Sequence, residues 1–322
     1  MRKKYFKKQR FLETFDKFAQ ALFFQIPLGI PIVGFLLFGT ITIAFNKDIL
    51  AKIDTLGPVE SFLRYSEYSI GIANLCLTTI TVILIVYTLY LTKRANKKQF
   101  FETLFFDLLN IHRENTVQVE SGNISGRKVF EKIFNEFKYI SDFVKSKFPE
   151  VTPHDNVTIS YLSVFWGLTD TKGDLEKYLE KHYKTIDNNN LLFELTKLHS
   201  NINQHESVSP LRGAFTGHQL SLSHYFRHLF QTFQFINKQS YLSIDEKYQY
   251  AKTLRAQLSN LELVIFFFNS ISPLGATWEL NQKEFRNKLI TKYQLIKNIP
   301  FSLITDIDVK TYYPDIEFES EE

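Results

Sequence analysis

The side chains best suited to metal or acid–base chemistry in this 322-residue chain lie on segments with helical periodicity. His224 and His228 are four residues apart, so a helix would place both imidazoles on one face, as in many zinc sites. A zinc site needs a third ligand, which His218, His112 or Glu262 could supply. Because the sequence contains no HExxH motif, we expect hydrogen-bonding histidines and no bound metal or other cofactor.

The hypothesis that the chain is a nuclease rests on Arg212 and His218. Their R-x5-H spacing resembles that of helical HEPN-type ribonucleases, in which an arginine and a histidine act on the phosphodiester. Gly213 and Gly217 lie within this segment and disfavour the helix that such a motif requires. No Walker-type or Rossmann glycine pattern appears either. We therefore expect no enzymatic activity, and a membrane-anchored nuclease is the alternative.

Glu262 is the charged residue with the most apolar sequence surroundings, since Leu and Ile or Val flank it over 261–265. A buried carboxylate must be paired or neutralised. The segment around residue 226 offers cations on its polar side, so we predict that Glu262 bonds to Arg227, His224 or His228. Arg255, two turns earlier, is too distant along the axis. The candidate polar network or switch comprises His112, Arg113, His224, Arg227, His228, Glu262 and Asn269.

Two uncharged runs predict membrane spans. One lies between Lys17 and Lys47 and the other between Glu67 and Lys93. About 20 mostly apolar residues suffice to cross the hydrocarbon core. The first run is too long, and follows too long a charged lead, for a cleaved signal peptide. We therefore predict transmembrane helices at 19–45 and 68–92, joined by a loop at 46–67.

Lysine and arginine counts predict the orientation of these spans, because positive residues near span ends stay cytoplasmic. The basic arm at 1–18 and the segment 93–98 are rich in Lys and Arg, whereas the loop at 46–67 has only three such residues against four acids. We therefore expect a two-span inner-membrane protein with both termini cytoplasmic and a periplasmic loop.

Polar side chains in the second span share one face, which should meet protein rather than lipid. They are Asn74, Thr78, Thr81 and Thr88. This face could pack against the first span of the same subunit or form a subunit interface in a homo-oligomer. Neither run contains Asp, Glu, Lys, Arg or His, which disfavours a proton relay.

Beyond the spans the sequence predicts an all-α fold, with a cytoplasmic helical bundle at 93–305 and a loosely held acidic tail at 306–322. Glycine and proline are sparse, at 12 and 9, while 32 Phe and 16 Tyr supply a large core. Apolar spacing predicts a helix continuing from the second span, a helix over 127–147 and another over 221–236, while Ser121–Gly126 reads as a loop. We predict one central, buried helix over 254–272. The net charge of +4 is too small to indicate sequence-specific DNA binding.

Three blocks carry a family resemblance: FFETLFFDLLNIHREN, GHQLSLSHYFRHLFQTFQFI and LRAQLSNLELVIFFFNS. They resemble recurring blocks of the putative phage abortive infection (AbiC-like) family, in which they also follow two N-terminal spans. The resemblance implies anti-phage defence by arrest or sacrifice of the infected cell, and it supplies no catalytic residues.

The expected function is therefore a membrane-anchored effector, or toxin, that compromises the inner membrane or arrests the cell. Its expected partners are the lipid bilayer and further copies of the chain. Two-span membrane proteins also serve as retron effectors. A reverse transcriptase with its RNA–DNA product is accordingly a further partner that this class of protein would take.

Overall fold

A computed structural model describes residues 57–168, 173–183, 188–204, 215–279 and 288–319. The chain divides into two compact units, Met1–Asn96 and Lys97–Glu322. We refer to the second unit as the helical domain. The predicted basic arm, the predicted first span and Arg212 lie outside the described residues.

Helix α1 runs without interruption over Pro58–Gln118. Gly57-Pro58, which the sequence analysis placed in the middle of a loop, is the start of this helix, because proline fits the first helical turn. Among the described residues, α1 is the one helix long and apolar enough to cross a membrane. Its most apolar 18-residue window has a mean hydropathy of 2.2 and no buried residue.

The described part of the helical domain is mostly helical, which confirms the predicted all-α fold class for this part of the chain. After α1 come α2 Lys128–Lys147, α3 Pro153–Trp166, α4 Asp174–His182, α5 Asn188–Gln204, α6 Gln219–Lys238, α7 Ile244–Arg255, α8 Asn260–Ile271, α9 Leu289–Tyr293 and α10 Val309–Tyr312, with short 3-10 turns at Ala276–Trp278 and Phe301–Leu303. The loop predicted at Ser121–Gly126 instead contains a small antiparallel hairpin of β1 Glu120–Ser121 and β2 Ile124–Ser125.

The core of the domain lies where α2, α3 and α8 pack together. Every residue of α8 from Glu262 to Ile271 is buried, so the predicted central, buried helix is confirmed. The rings of Phe137 on α2 and Phe268 on α8 stack with centroids 4.0 Å apart. Large apolar side chains on all sides of α8 leave no face for solvent, which agrees with its sequence.

The single helix predicted over 254–272 is wrong, because the chain breaks between α7 and α8. Ser259 caps α8: the Glu262 Oε2 atom accepts from the Ser259 N–H at 2.7 Å, and the Ser259 Oγ accepts from the Glu262 N–H at 3.4 Å. This S-x-x-E capping box is a helix-start signal that the sequence analysis overlooked. A second capping box, Ser243 with Glu246, starts α7.

The acidic segment near the C-terminus is not loosely held over its described part, which corrects the expectation. Val309, Tyr313, Ile316 and Phe318 are buried in the core of the domain. Their acidic neighbours in sequence, including Asp315 and Glu317, remain exposed. Apolar and acidic residues alternate in this segment, so its apolar side chains pack into the core while its acidic ones face solvent. Its overall composition alone suggests a solvated tail.

Candidate functional site

Glu262 lies at the centre of the polar cluster, fully buried as predicted. Its carboxylate accepts a hydrogen bond from the Tyr225 hydroxyl at 2.9 Å, in addition to the Ser259 N–H. The Nε atom of Arg127 lies 3.4 Å from the second carboxylate oxygen. The prediction that α6 and α8 pack together is confirmed, but the predicted partner of Glu262 is wrong.

The register of α6 explains this difference. Its apolar stripe, which includes Leu222, Tyr225 and Leu229, faces the core, and this leaves Arg227 and His224 exposed. Tyr225 lies on this apolar stripe, but its hydroxyl can also donate to a buried carboxylate. Arg127 stands just before α2, and no spacing in the sequence connects it to α8.

The cluster favours a neutral Tyr225 that donates to the Glu262 side chain. Burial raises the pKa of Tyr225 well above its usual value, the charge and hydrogen bond of Glu262 raise it further, and the nearby Arg127 opposes them. Arg127 also donates from Nη2 to the Gln257 carbonyl at 2.7 Å, so it joins the α7–α8 turn to Glu262. Because every bond of the carboxylate is internal to the protein, the arrangement suits structural bracing rather than acid–base catalysis.

His112 of α1 and His228 of α6 form a second feature beside this cluster. Their rings are nearly parallel, at 11°, with centroids 6.0 Å apart, and His112 also contacts the Tyr225 ring at 5.2 Å. Within the described residues, the shielded ring nitrogens of both histidines have no hydrogen-bond partner. The pKa of His112 is lowered to about 4, first by burial and then by His228 and Arg127. Burial, and then His224, also lower the pKa of His228.

The candidate metal ligands are dispersed. In the part of the chain that the structure describes, no three His, Cys, Asp or Glu side chains are grouped so that they could hold a metal ion. His224 is exposed, and Glu262 is bonded to Tyr225. His112 and His228 are the pair that comes together.

His218 is an interior residue. Its Nε2 lies 2.9 Å from Oε2 of Glu136 on α2, and both side chains are buried. Its backbone N–H donates to the Phe165 carbonyl at 2.9 Å. Gly217, with a φ of +92°, brings the chain against α3. Arg212 lies outside the described residues, and a buried, paired His218 offers no surface to an RNA strand.

The remaining predicted network residues have separate partners. The Asn269 side chain donates to the Tyr161 hydroxyl at 2.9 Å, and Arg113 Nε donates to Gln257 Oε1 at 3.0 Å. The structure therefore brings together Glu262, His112 and His228, and adds Tyr225 and Arg127. A role of these residues as a switch stays a prediction.

The polar face of the predicted second span is hydrogen-bonded within its own helix. The hydroxyls of Thr78, Thr81 and Thr88 donate to carbonyls four residues earlier, at 2.7, 2.8 and 2.8 Å respectively. The first of these carbonyls belongs to Asn74. These threonines therefore need no partner helix for their hydroxyls, and the interface stays a prediction.

A row of contacts holds the last part of α1 in the helical domain. Lys98 Nζ bonds Glu246 Oε1 at 2.7 Å, and the Tyr250 hydroxyl donates to Glu102 at 2.6 Å. The Phe101 ring lies against Phe235 and Tyr250, with centroids 5.1 and 4.8 Å away. We call these six residues the α1 seat. They join α1 to α6 and α7, and the His112–His228 pair also joins α1 to α6.

Comparison with known proteins gives one family. The family described as putative phage abortive infection protein matches residues 217–304, which include α6, α7, α8 and α9. No curated protein and no solved structure matches the chain. The matched segment contains Tyr225, His228 and Glu262, whose partners Arg127 and His112 lie before it. The match confirms, over residues 217–304, the resemblance to the AbiC-like phage abortive infection family seen in the sequence.

Proposed function

We propose that the chain is a membrane-anchored effector of phage abortive infection, which stops the infected cell by compromising its inner membrane. One observation carries the anchoring: the apolar half of α1 presents exposed side chains such as Leu77, Val82 and Leu89. A surface of this length and composition fits the hydrocarbon core of a bilayer. The family match supplies the context of phage defence.

The continuity of α1 supports a link between anchor and domain. The helix runs on past Asn96, and from Lys98 onward the α1 seat bonds it to α6 and α7. A change in α6 or α7 would therefore act on the same helix that we place in the membrane. The abortive infection match covers α6 and α7, so the segment that resembles the family supplies residues to this seat.

Anchoring predicts a large effect of charge in the middle of the apolar stretch. Arginine costs about 2.5–3.5 kcal/mol at the centre of an inserted helix, so Val82→Arg with Val86→Arg should cost roughly twice that. Because the predicted first span would still tether the chain, we expect the double variant to fail to insert α1, which would leave a reporter at Glu322 on the periplasmic side, and to lose protection, measured as the plating efficiency of phage. Val82→Leu with Val86→Leu, which keeps the surface apolar, should retain both properties.

Whether the protein acts by depolarising the membrane is measured in a separate experiment. During infection, a membrane-potential dye should report depolarisation in cells with the leucine control and none in cells with the arginine variant. If cellular RNA is cleaved while the membrane stays polarised, the anchored nuclease is the better description. Protection by an arginine variant whose α1 is not inserted in the membrane would contradict the need for this span.

Topology is tested separately, because it depends on the lysine and arginine asymmetry. We infer that both termini are cytoplasmic and that the residues around Gly57 are periplasmic. A reporter fused after Thr92 or at Glu322 should behave as cytoplasmic, and one inserted beside Gly57 as periplasmic. A cytoplasmic reporter at Gly57 would contradict the two-span arrangement. Homo-oligomerisation and a ribonucleoprotein partner stay predictions from the sequence.

A further inference from the structure

The His112–His228 pair joins the end of α1 to α6 without any hydrogen bond of its own among the described residues. Only 1% of the surface of His112 is exposed. Buried polar atoms are nearly always bonded, so two adjacent imidazoles with shielded, unbonded nitrogens carry a desolvation penalty. In return, the neutral rings stack on each other, and His112 also contacts the Tyr225 ring.

The groups around the pair do not stabilise a protonated imidazole. On α6, His224 is exposed one turn away, and before α2 the guanidinium of Arg127 already acts on His112. On α8, the Glu262 carboxylate accepts from Tyr225 and from the Ser259 N–H. The charged side chains on this part of α1 point away: Asp107 and Glu114 are exposed, and Arg113 bonds Gln257. A proton added to His112 would thus place a second positive charge near Arg127, with no hydrogen-bond acceptor for it among the described residues.

We propose that the His112–His228 pair is an acid-sensitive latch, which holds the end of α1 against α6 while both rings are neutral and releases it when either is protonated. The inference concerns the helical domain and does not rest on the proposed function. It assigns the pair a regulatory task that does not require a bound ligand.

The direction of the pH dependence follows from the two states. In the closed state the pKa of His112 is about 4, whereas in a released, hydrated state it returns to the ordinary 6.5. The released state therefore binds more protons between these values, and release becomes more favourable as the pH falls. From pH 7 to pH 5, His112 alone should raise the ratio of released to closed molecules about twenty-fold. His228, whose pKa is also lowered, acts in the same direction.

Hydrogen–deuterium exchange of the full-length protein in lipid nanodiscs tests the latch. After correction for the intrinsic pH dependence of exchange, peptides covering 109–118 and 222–232 should lose protection by about twenty-fold or more between pH 7 and pH 5. Peptides covering α3 should keep theirs. Unchanged protection of 109–118 in the wild-type protein would overturn the proposal without any variant.

Three variants separate the latch from general acid sensitivity. His112→Phe and His228→Phe each keep an aromatic ring and remove a titratable group, so each should reduce the loss of protection at pH 5. If one of them does not fold, the other still decides. His224→Gln removes an exposed imidazole on the same helix and should keep most of the effect. A full pH response in His112→Phe or His228→Phe, or its loss in His224→Gln, would refute the latch.

Discussion

Replacing Glu262 by alanine is expected to lower the free energy of unfolding of the helical domain by about 2–5 kcal/mol, because it removes a helix cap and leaves a buried hydroxyl unbonded. The substitution leaves the buried Tyr225 hydroxyl without its acceptor and removes the side-chain half of the capping box of α8. It also leaves Arg127 without its carboxylate partner. Thermal unfolding of the purified full-length protein, followed by tryptophan fluorescence, would measure the effect. For a domain of this size we expect a drop of roughly 10 °C in Tm.

The second capping box provides a matched control. Glu246 caps α7 with Ser243 as Glu262 caps α8 with Ser259, but the Glu246 side chain is 31% exposed and Glu262 is fully buried. Glu246→Ala should therefore cost about 0.5–2 kcal/mol for loss of the cap and at most about 1 kcal/mol more for the partly exposed ion pair with Lys98. Equal effects of the two substitutions would show that burial of Glu262 adds nothing beyond capping.

The free energy of coupling between Tyr225 and Glu262 can be measured with a double-mutant cycle. Tyr225→Phe removes the donor to the carboxylate and should cost about 1–3 kcal/mol alone. In the Glu262→Ala background that hydroxyl has no acceptor, so removing it should cost less or even stabilise the protein. If the free-energy changes of the two single substitutions simply add up in the double variant, the hydrogen bond does not couple the two residues.

Local sequence signals predicted the helices better than they predicted the partners. Apolar spacing at three and four residues placed α2 and α6 because it reflects the helical period directly. The burial of Glu262 was also predictable, since its flanking residues are large and apolar. Its partner was not: Arg127 is brought to α8 by the packing of α2 against α8, which no local pattern encodes.

Of the other differences, one had a local cause that the sequence showed, and two depended on segments that are distant in the chain. Ser259-x-x-Glu262 marks the start of α8, but the run of apolar residues around it suggested one continuous helix. The pairing of His218 with Glu136 depends on α2 and α6 meeting in space, so the R-x5-H spacing could not exclude it. The His112–His228 pair likewise joins two distant segments, and only the separate histidines were visible in the sequence.

Replacing Gly217 by alanine is expected to cost about 3 kcal/mol or more, although the change adds one methyl group. At a φ of +92° a residue with a side chain is strained by about 1–3 kcal/mol. The added Cβ would also lie 2.6 Å from the Trp166 carbonyl oxygen, so α3 or the turn before α6 must shift. Such overpacking costs a further 1–3 kcal/mol. Thermal unfolding of the full-length protein measures the sum.

Gly122→Ala separates the two causes. Gly122, in the hairpin turn, also has a positive φ, of +62°, but nothing lies within 4 Å of the position of its added Cβ. Its replacement should therefore cost about 1 kcal/mol, the strain alone. The comparison also bears on the nuclease alternative, since an R-x5-H motif requires a helix through residue 217. Wild-type stability of Gly217→Ala would show that this segment accepts a helical residue. A loss of stability well beyond that of Gly122→Ala would show that the close approach to α3 fixes the segment in a non-helical turn.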